Sequence, residues 1–82
     1  EILRSLKKGA PGDDVKALQE LLVKEGVYPE GLITGFFGEL TKQAVIRFQE
    51  KYTDEILVPS GLTTGTGFVG NATRAKLNKL SQ

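Results

Sequence analysis

Apolar residues recur at helical spacing in three stretches of the chain, and each stretch opens just after a glycine. In the first, Val15, Leu18 and Leu22 fall on one stripe with Leu21 beside it, which predicts an amphipathic helix over about 13–25. Asp13 and Asp14 sit in its first turn, where carboxylates suit the positive end of the helix dipole, and Gly26 supplies the stop. Lys16, Glu20 and Lys24 follow at i, i+4 spacing on a solvated outer face. The second stripe, Leu40, Ala44, Val45 and Phe48, predicts a helix over about 39–52 with Glu39, Gln43 and Arg47 outward. The third, Ala72, Leu77 and Leu80, predicts a short helix over about 71–80. Each helix is apolar on one side only, so the three must bury against one another. The expected fold is all-α, a compact three-helix bundle.

The links are long and rich in Gly and Thr. VYPEGLITG (27–35) and VPSGLTTGTG (58–67) read as turn-forming stretches with isolated apolar anchors, Leu32 and Leu62. TDEILV (53–58) carries Ile56, Leu57 and Val58 in succession and reads as a short extended segment pinned to the core.

Across these links the chain repeats itself. TGFFGELT (34–41) recurs as TGFVGNAT (66–73), with Thr, Gly, Phe, Gly and Thr at matching places. A turn followed by a helix start explains the pattern. Gly35 and Gly67 permit the positive φ of a tight turn, and Gly38 and Gly70 fall at the N-cap. Thr41 and Thr73 come three residues later, where a hydroxyl can reach back to a free backbone N–H. The residue between Phe and Gly, Phe37 or Val69, should point into the core. Val15, Leu18, Leu22, Phe37, Val45, Phe48, Val69 and Leu77 make up the expected core.

Composition narrows the chemistry. The 82 residues suffice for a single domain. A net charge of +1, with acids and bases interleaved, argues against nucleic acid as a partner. Without His or Cys, thiol nucleophiles, Ser-His-Asp triads and His- or Cys-ligated metals are all excluded. No cofactor is expected. No apolar run approaches the ~18 residues of a membrane span, and EILRSLKKG at the start does not read as a signal peptide. The chain reads as a single domain, 1–82, cut from a longer protein whose export signal lies elsewhere, and as a monomer.

At this point the residues resemble a family. Leu6, Gly9 and Gly12, then Val15, Leu18 and Gln19, form a Leu-x-x-Gly-x-x-Gly opening and a Val-x-x-Leu-Gln helix. Phe37, Gly38, Thr41, Ala44, Val45, Phe48 and Gln49 follow in order, and Gly70 and Thr73 open a last short helix. The series is similar to the peptidoglycan-binding domains of bacterial cell-wall hydrolases and covers nearly the whole chain. The Asp that often precedes the turn glycine in that family is Thr34 and Thr66 here, and the link after the second helix is longer. The resemblance implies a module that binds peptidoglycan, by glycan strand or stem peptide. It also implies an attached catalytic domain outside this fragment, held to the wall in the extracellular envelope. The alternative is a protein-interaction or prodomain-like module of the same fold. The family resemblance extends to metalloprotease prodomains, but their inhibitory cysteine has no counterpart here. A helix-turn-helix reader of DNA is a poor third, because that motif joins its helices by ~3–4 residues.

Carboxylates are the remaining catalytic candidates. Asp13–Asp14 and Asp54–Glu55 are adjacent pairs, whereas glycoside cleavage needs two carboxyls facing across a cleft. No enzymatic activity is expected. The ligand-binding candidates are Tyr28, Thr34, Phe36, Arg47, Thr63, Thr64 and Phe68. A sugar's apolar face stacks on an exposed ring, and Phe36 and Phe68 neighbour inward residues, so at least one should be partly exposed. Tyr28 reads as a cover with its hydroxyl in water, or as a contact residue. Arg47 and Arg74 read as solvated helix face, or as carboxylate ligands. Gln19 and Gln49 follow inward residues in equivalent helices, where each amide can bond a neighbouring loop.

Overall fold

The computed structural model describes residues 2–82 and is all-helical, with extents of 31 × 22 × 22 Å. Helix α1 spans Asp13–Lys24, α2 Glu39–Lys51, α3 Thr53–Ile56 and α4 Asn71–Leu80, with a 3-10 turn at Val58–Ser60 before the last loop. The three longer helices lie where the apolar periodicity puts them, each within a residue of the expected ends. Gly12, Gly38 and Gly70 occupy their N-caps. Gly26, at φ +77°, ends α1 by a Schellman pattern: its N–H bonds the Val23 carbonyl at 3.0 Å, and that of Val27 bonds Leu22 at 3.1 Å.

All eight expected core residues are buried, from Val15 to Leu77. Ile2, Leu6, Val27, Tyr28, Ala44, Ile56 and Leu57 join them. The first of these additions come from residues 2–12, which run as a strap over the bundle. Leu6 and Val69 exchange backbone bonds at 3.1 and 2.8 Å, Gly9 and Ala10 bond Phe37, and Gly12 bonds Gly35. The strap therefore stitches both copies of the octapeptide into one body. Asn78 on α4 clamps its far end with bonds to the Ile2 N–H and carbonyl.

Three expectations are corrected. The stretch 53–58 is not extended but helical, in α3 and the 3-10 turn. Neighbours on a strand point to opposite faces, and Ile56 and Leu57 are both buried, which a helical turn allows. Leu40 is not inward but 43% exposed; Thr41 takes the inward place in α2, at i, i+3, i+4, i+7 spacing with Ala44, Val45 and Phe48. Leu32 and Leu62 are exposed and do not anchor their loops to the core.

Candidate functional site

Two glutamines in otherwise apolar stripes organise the region around the repeated octapeptide. Gln19 on α1 is fully buried, and its Oε1 accepts the N–H groups of Thr34 (2.9 Å) and Gly35 (3.0 Å). Its Nε2 donates to the Phe36 carbonyl at 3.1 Å and the Thr41 hydroxyl at 3.0 Å. Gln49 on α2 repeats the arrangement: Oε1 accepts from Thr66 (2.8 Å) and Gly67 (3.1 Å), and Nε2 donates to the Phe68 carbonyl (2.8 Å) and the Thr73 hydroxyl (3.1 Å). A buried amide is tolerated because its polar atoms are partnered. Gly35 and Gly67, at φ +78° and +79°, make the turns that present those groups.

The threonines have roles the sequence did not suggest. Thr41 and Thr73 accept from the glutamine amides, and neither α2 nor α4 has a side-chain cap bond. Thr34 Oγ1 accepts the Phe36 N–H at 3.1 Å, and Thr66 Oγ1 does the same for Phe68. A hydroxyl here closes a small side-chain turn, which an aspartate carboxylate would also close. Thr34 and Thr66 thus keep the turn without an Asp.

Beside each turn lies a cleft. The first, of about 240 Å³, is lined by Tyr28, Leu32, Thr34, Phe36, Leu40 and Thr41, with Gly38 and Glu39. The second, of about 160 Å³, is lined by Leu62, Thr66, Phe68, Gly70, Asn71 and Thr73, with Ser60 and the buried Gln49, Ile56 and Leu57. Phe36 is 53% exposed and Phe68 45%, while their neighbours Phe37 and Val69 are fully buried. Tyr28 walls the first cleft as a buried ring, and its hydroxyl bonds the Leu32 carbonyl at 2.8 Å instead of standing in water. Leu32 and Leu40 add exposed apolar surface beside Phe36.

The remaining sequence candidates lie apart from this cleft. Thr63 and Thr64 are exposed in the loop before the second turn and line neither cleft. Arg47 is exposed on α2 and donates to the Val27 carbonyl at 3.2 Å. Arg74 bonds the Leu3 carbonyl and Asn71, so it braces the strap rather than standing free on a solvated face.

The charged groups are mostly committed. Glu39, at the rim of the first cleft, is held below the usual carboxylate range by bonds from Gln43 and then Lys8. Asp14 is lowered by its bond from Arg4, at 2.6 Å. Glu25 is lowered by the Tyr52 hydroxyl and then Lys51, which together outweigh its burial. Among the described residues no group of acids forms a metal-binding cluster.

The sequence profile of a peptidoglycan binding domain family matches residues 11–53, which contain the first turn and its glutamine. The crystal structure of the SleB N-terminal domain superposes with a TM-score of 0.75 at 34% identity, covering 96% of this chain and 94% of that one. A peptidoglycan-binding protein from Clostridioides difficile, crystallised in complex with glutamine hydroxamate, superposes with a TM-score of 0.73 at 35% identity. There the match covers 96% of this chain but 43% of that chain. No curated protein matches.

Proposed function

The chain belongs to the peptidoglycan-binding domain family, and on that footing we propose that it grips the wall polymer at the first cleft and tethers an attached hydrolytic domain to its substrate. One observation makes this cleft a binding surface. Phe36 keeps half its surface in water although its backbone is fixed by Gln19 and Thr34. An exposed ring on a rigid turn loses little entropy when a ligand covers it. Tyr28, Leu32 and Leu40 continue the apolar surface along the cleft, and such surface is what the non-polar face of a sugar ring contacts.

Tethering, rather than cleavage, fits the charge pattern. A general acid in glycoside hydrolysis has a raised pKa and a second carboxyl opposite it. Asp14, Glu25 and Glu39 are all lowered instead. In the Clostridioides difficile protein the matched region is under half of the chain, which supports the reading as one module of a larger protein. The place of action is the cell envelope, and the module acts as a monomer.

The test is retention on purified insoluble sacculi at low and high salt. Wild type should be retained at both, because a neutral apolar contact is not screened, and wall turbidity should stay flat. Phe36→Ala should lower retention without altering the melting temperature. A second reading, a docking surface for a protein, is favoured by the exposed Leu32 and Leu40 around the ring. Failure of the wild type to bind sacculi would leave that reading standing.

A further inference from the structure

The scaffold accounts for most of the repeated octapeptide but not for its phenylalanine rings. The two Thr positions, the turn glycine and the Phe backbone are all used by the Gln19 and Gln49 networks. The side chains of Phe36 and Phe68 take no part in those networks. Nor are they core, since both are about half exposed. The N-cap glycines supply a seat for them. A Cβ at Gly70 would stand 3.0 Å from the Phe68 ring, and one at Gly38 would stand 3.8 Å from the Phe36 ring. Each ring therefore rests against the start of a helix, which accounts for its covered half and leaves the rest to solvent. The same seated ring, on the same turn, borders a cleft twice.

From this we infer that the domain carries two saccharide subsites, one at Phe36 and one at Phe68, that contact the glycan of the wall rather than its stem peptide. The inference rests on the peptidoglycan-binding reading above and specifies its ligand. Charge decides between glycan and peptide. The second cleft is lined by no charged side chain. In the first, Glu39 alone is charged, and it is already bonded to Lys8 at 2.9 Å and Gln43 at 2.7 Å. Stem-peptide carboxylates would find no cation in either cleft, whereas a neutral sugar asks for a ring face and a few hydrogen-bonding groups.

The subsites are matched in framework and different in lining. Leu40 and Glu39 at the first correspond to Ala72 and Asn71 at the second. Tyr28 and Leu32 wall the first, while Ser60 and Leu62 stand at the second. The first should favour the more apolar face of a saccharide, and the second should accept more of its hydroxyl or amide groups.

The experiment is an NMR titration with a peptide-free tetrasaccharide of the wall glycan, following the Phe36 and Phe68 amides, with sacculus retention measured in parallel. Both amides should shift. Phe36→Ala should abolish the response at the first cleft alone, and Phe68→Ala that at the second alone. Each single variant should lower retention several-fold, and the double variant by about the product of the two, as independent contacts do. Movement at one cleft only overturns the inference, as does loss of both responses in either single variant. If wild type is retained on sacculi while neither cleft answers the tetrasaccharide, this inference fails and the wall-binding reading survives. If wild type is not retained at all, the wall-binding reading fails with it.

Discussion

Gln49 stands to the turn at Thr66 as Gln19 stands to the turn at Thr34, with five equivalent contacts to four residues made through the same two amide atoms. Each glutamine lies within an otherwise apolar helical stripe and reaches across to a turn 15 to 18 residues further on. The octapeptide repeat is thus the visible part of a larger repeat that includes a helix. Neither turn could hold its shape alone, because each glutamine satisfies two N–H groups that the turn itself leaves unpaired.

Removing either glutamine should therefore be costly. Gln19→Leu keeps the volume but strands two backbone donors, at Thr34 and Gly35, and the Thr41 hydroxyl. At roughly 1–3 kcal/mol for an unsatisfied buried group, and with water reaching part of the site, the loss should be about 3 kcal/mol. Gln49→Leu should match it within about 1 kcal/mol if the two networks are equivalent. Urea denaturation checks this, and a variant as stable as the parent would deny the networks their role.

Two phenylalanines separate core from surface. Phe48 is fully buried, with its ring centroid 5.1 Å from that of Tyr52, so Phe48→Ala should cost about 3–5 kcal/mol. Phe36→Ala removes a half-exposed ring and should shift stability by less than about 0.5 kcal/mol. Its effect belongs to wall binding, where a lost ring contact is worth about 1 kcal/mol.

Standing at an N-cap does not by itself make a glycine sensitive. Gly38 has extended backbone, and a Cβ there would have 3.8 Å of clearance. Gly38→Ala, which N-cap preferences alone would mark as destabilising, should be tolerated within about 1 kcal/mol. At Gly65 a Cβ would lie 2.8 Å from the Ile46 carbonyl oxygen and 2.9 Å from its Cα, and α2 backbone cannot step aside. Gly65→Ala should cost about 1–3 kcal/mol. Gly67→Ala combines φ +79° with a 2.7 Å approach to the Lys42 stem, and about 1–2 kcal/mol of backbone strain follows. Melting temperatures of the three variants give the order directly.

Stability should be flat near neutral pH and fall at both extremes. The chain has no His to titrate between about pH 5 and 8. Asp14, Glu25 and Glu39 are lowered in the folded state, so the unfolded chain takes up protons first on acidification. Their contribution is complete above the ordinary carboxylate range, near pH 4, and is lost as the pH falls through the lower folded values. Tyr52 is raised, chiefly by its bond to Glu25 at 2.5 Å. Its contribution is present below the ordinary tyrosine value, about 10, and is lost as the pH rises through the raised one. Glu25→Gln should make both limbs shallower in thermal melts taken across the range. A slope between pH 6 and 8 would contradict the assignment.

The sequence by itself determined the three long helices, their glycine boundaries and the eight-residue core, because helical periodicity and cap chemistry are local properties of consecutive residues. It also exposed the repeat and placed Phe37 and Val69 inward, since a turn glycine and an N-cap glycine three residues apart constrain the pair between them. Only the tertiary structure decided which polar groups go inside. Thr41 displaces Leu40 from the core of α2 because Gln19, 22 residues away, holds its hydroxyl, and no local pattern reports a partner at that distance. The same holds for the strap, whose Ile2 and Leu6 carry no periodic signal and are buried by contacts with α4 and the second turn. The clefts follow from both: turns written in the sequence, walled by side chains that meet only when the chain has folded.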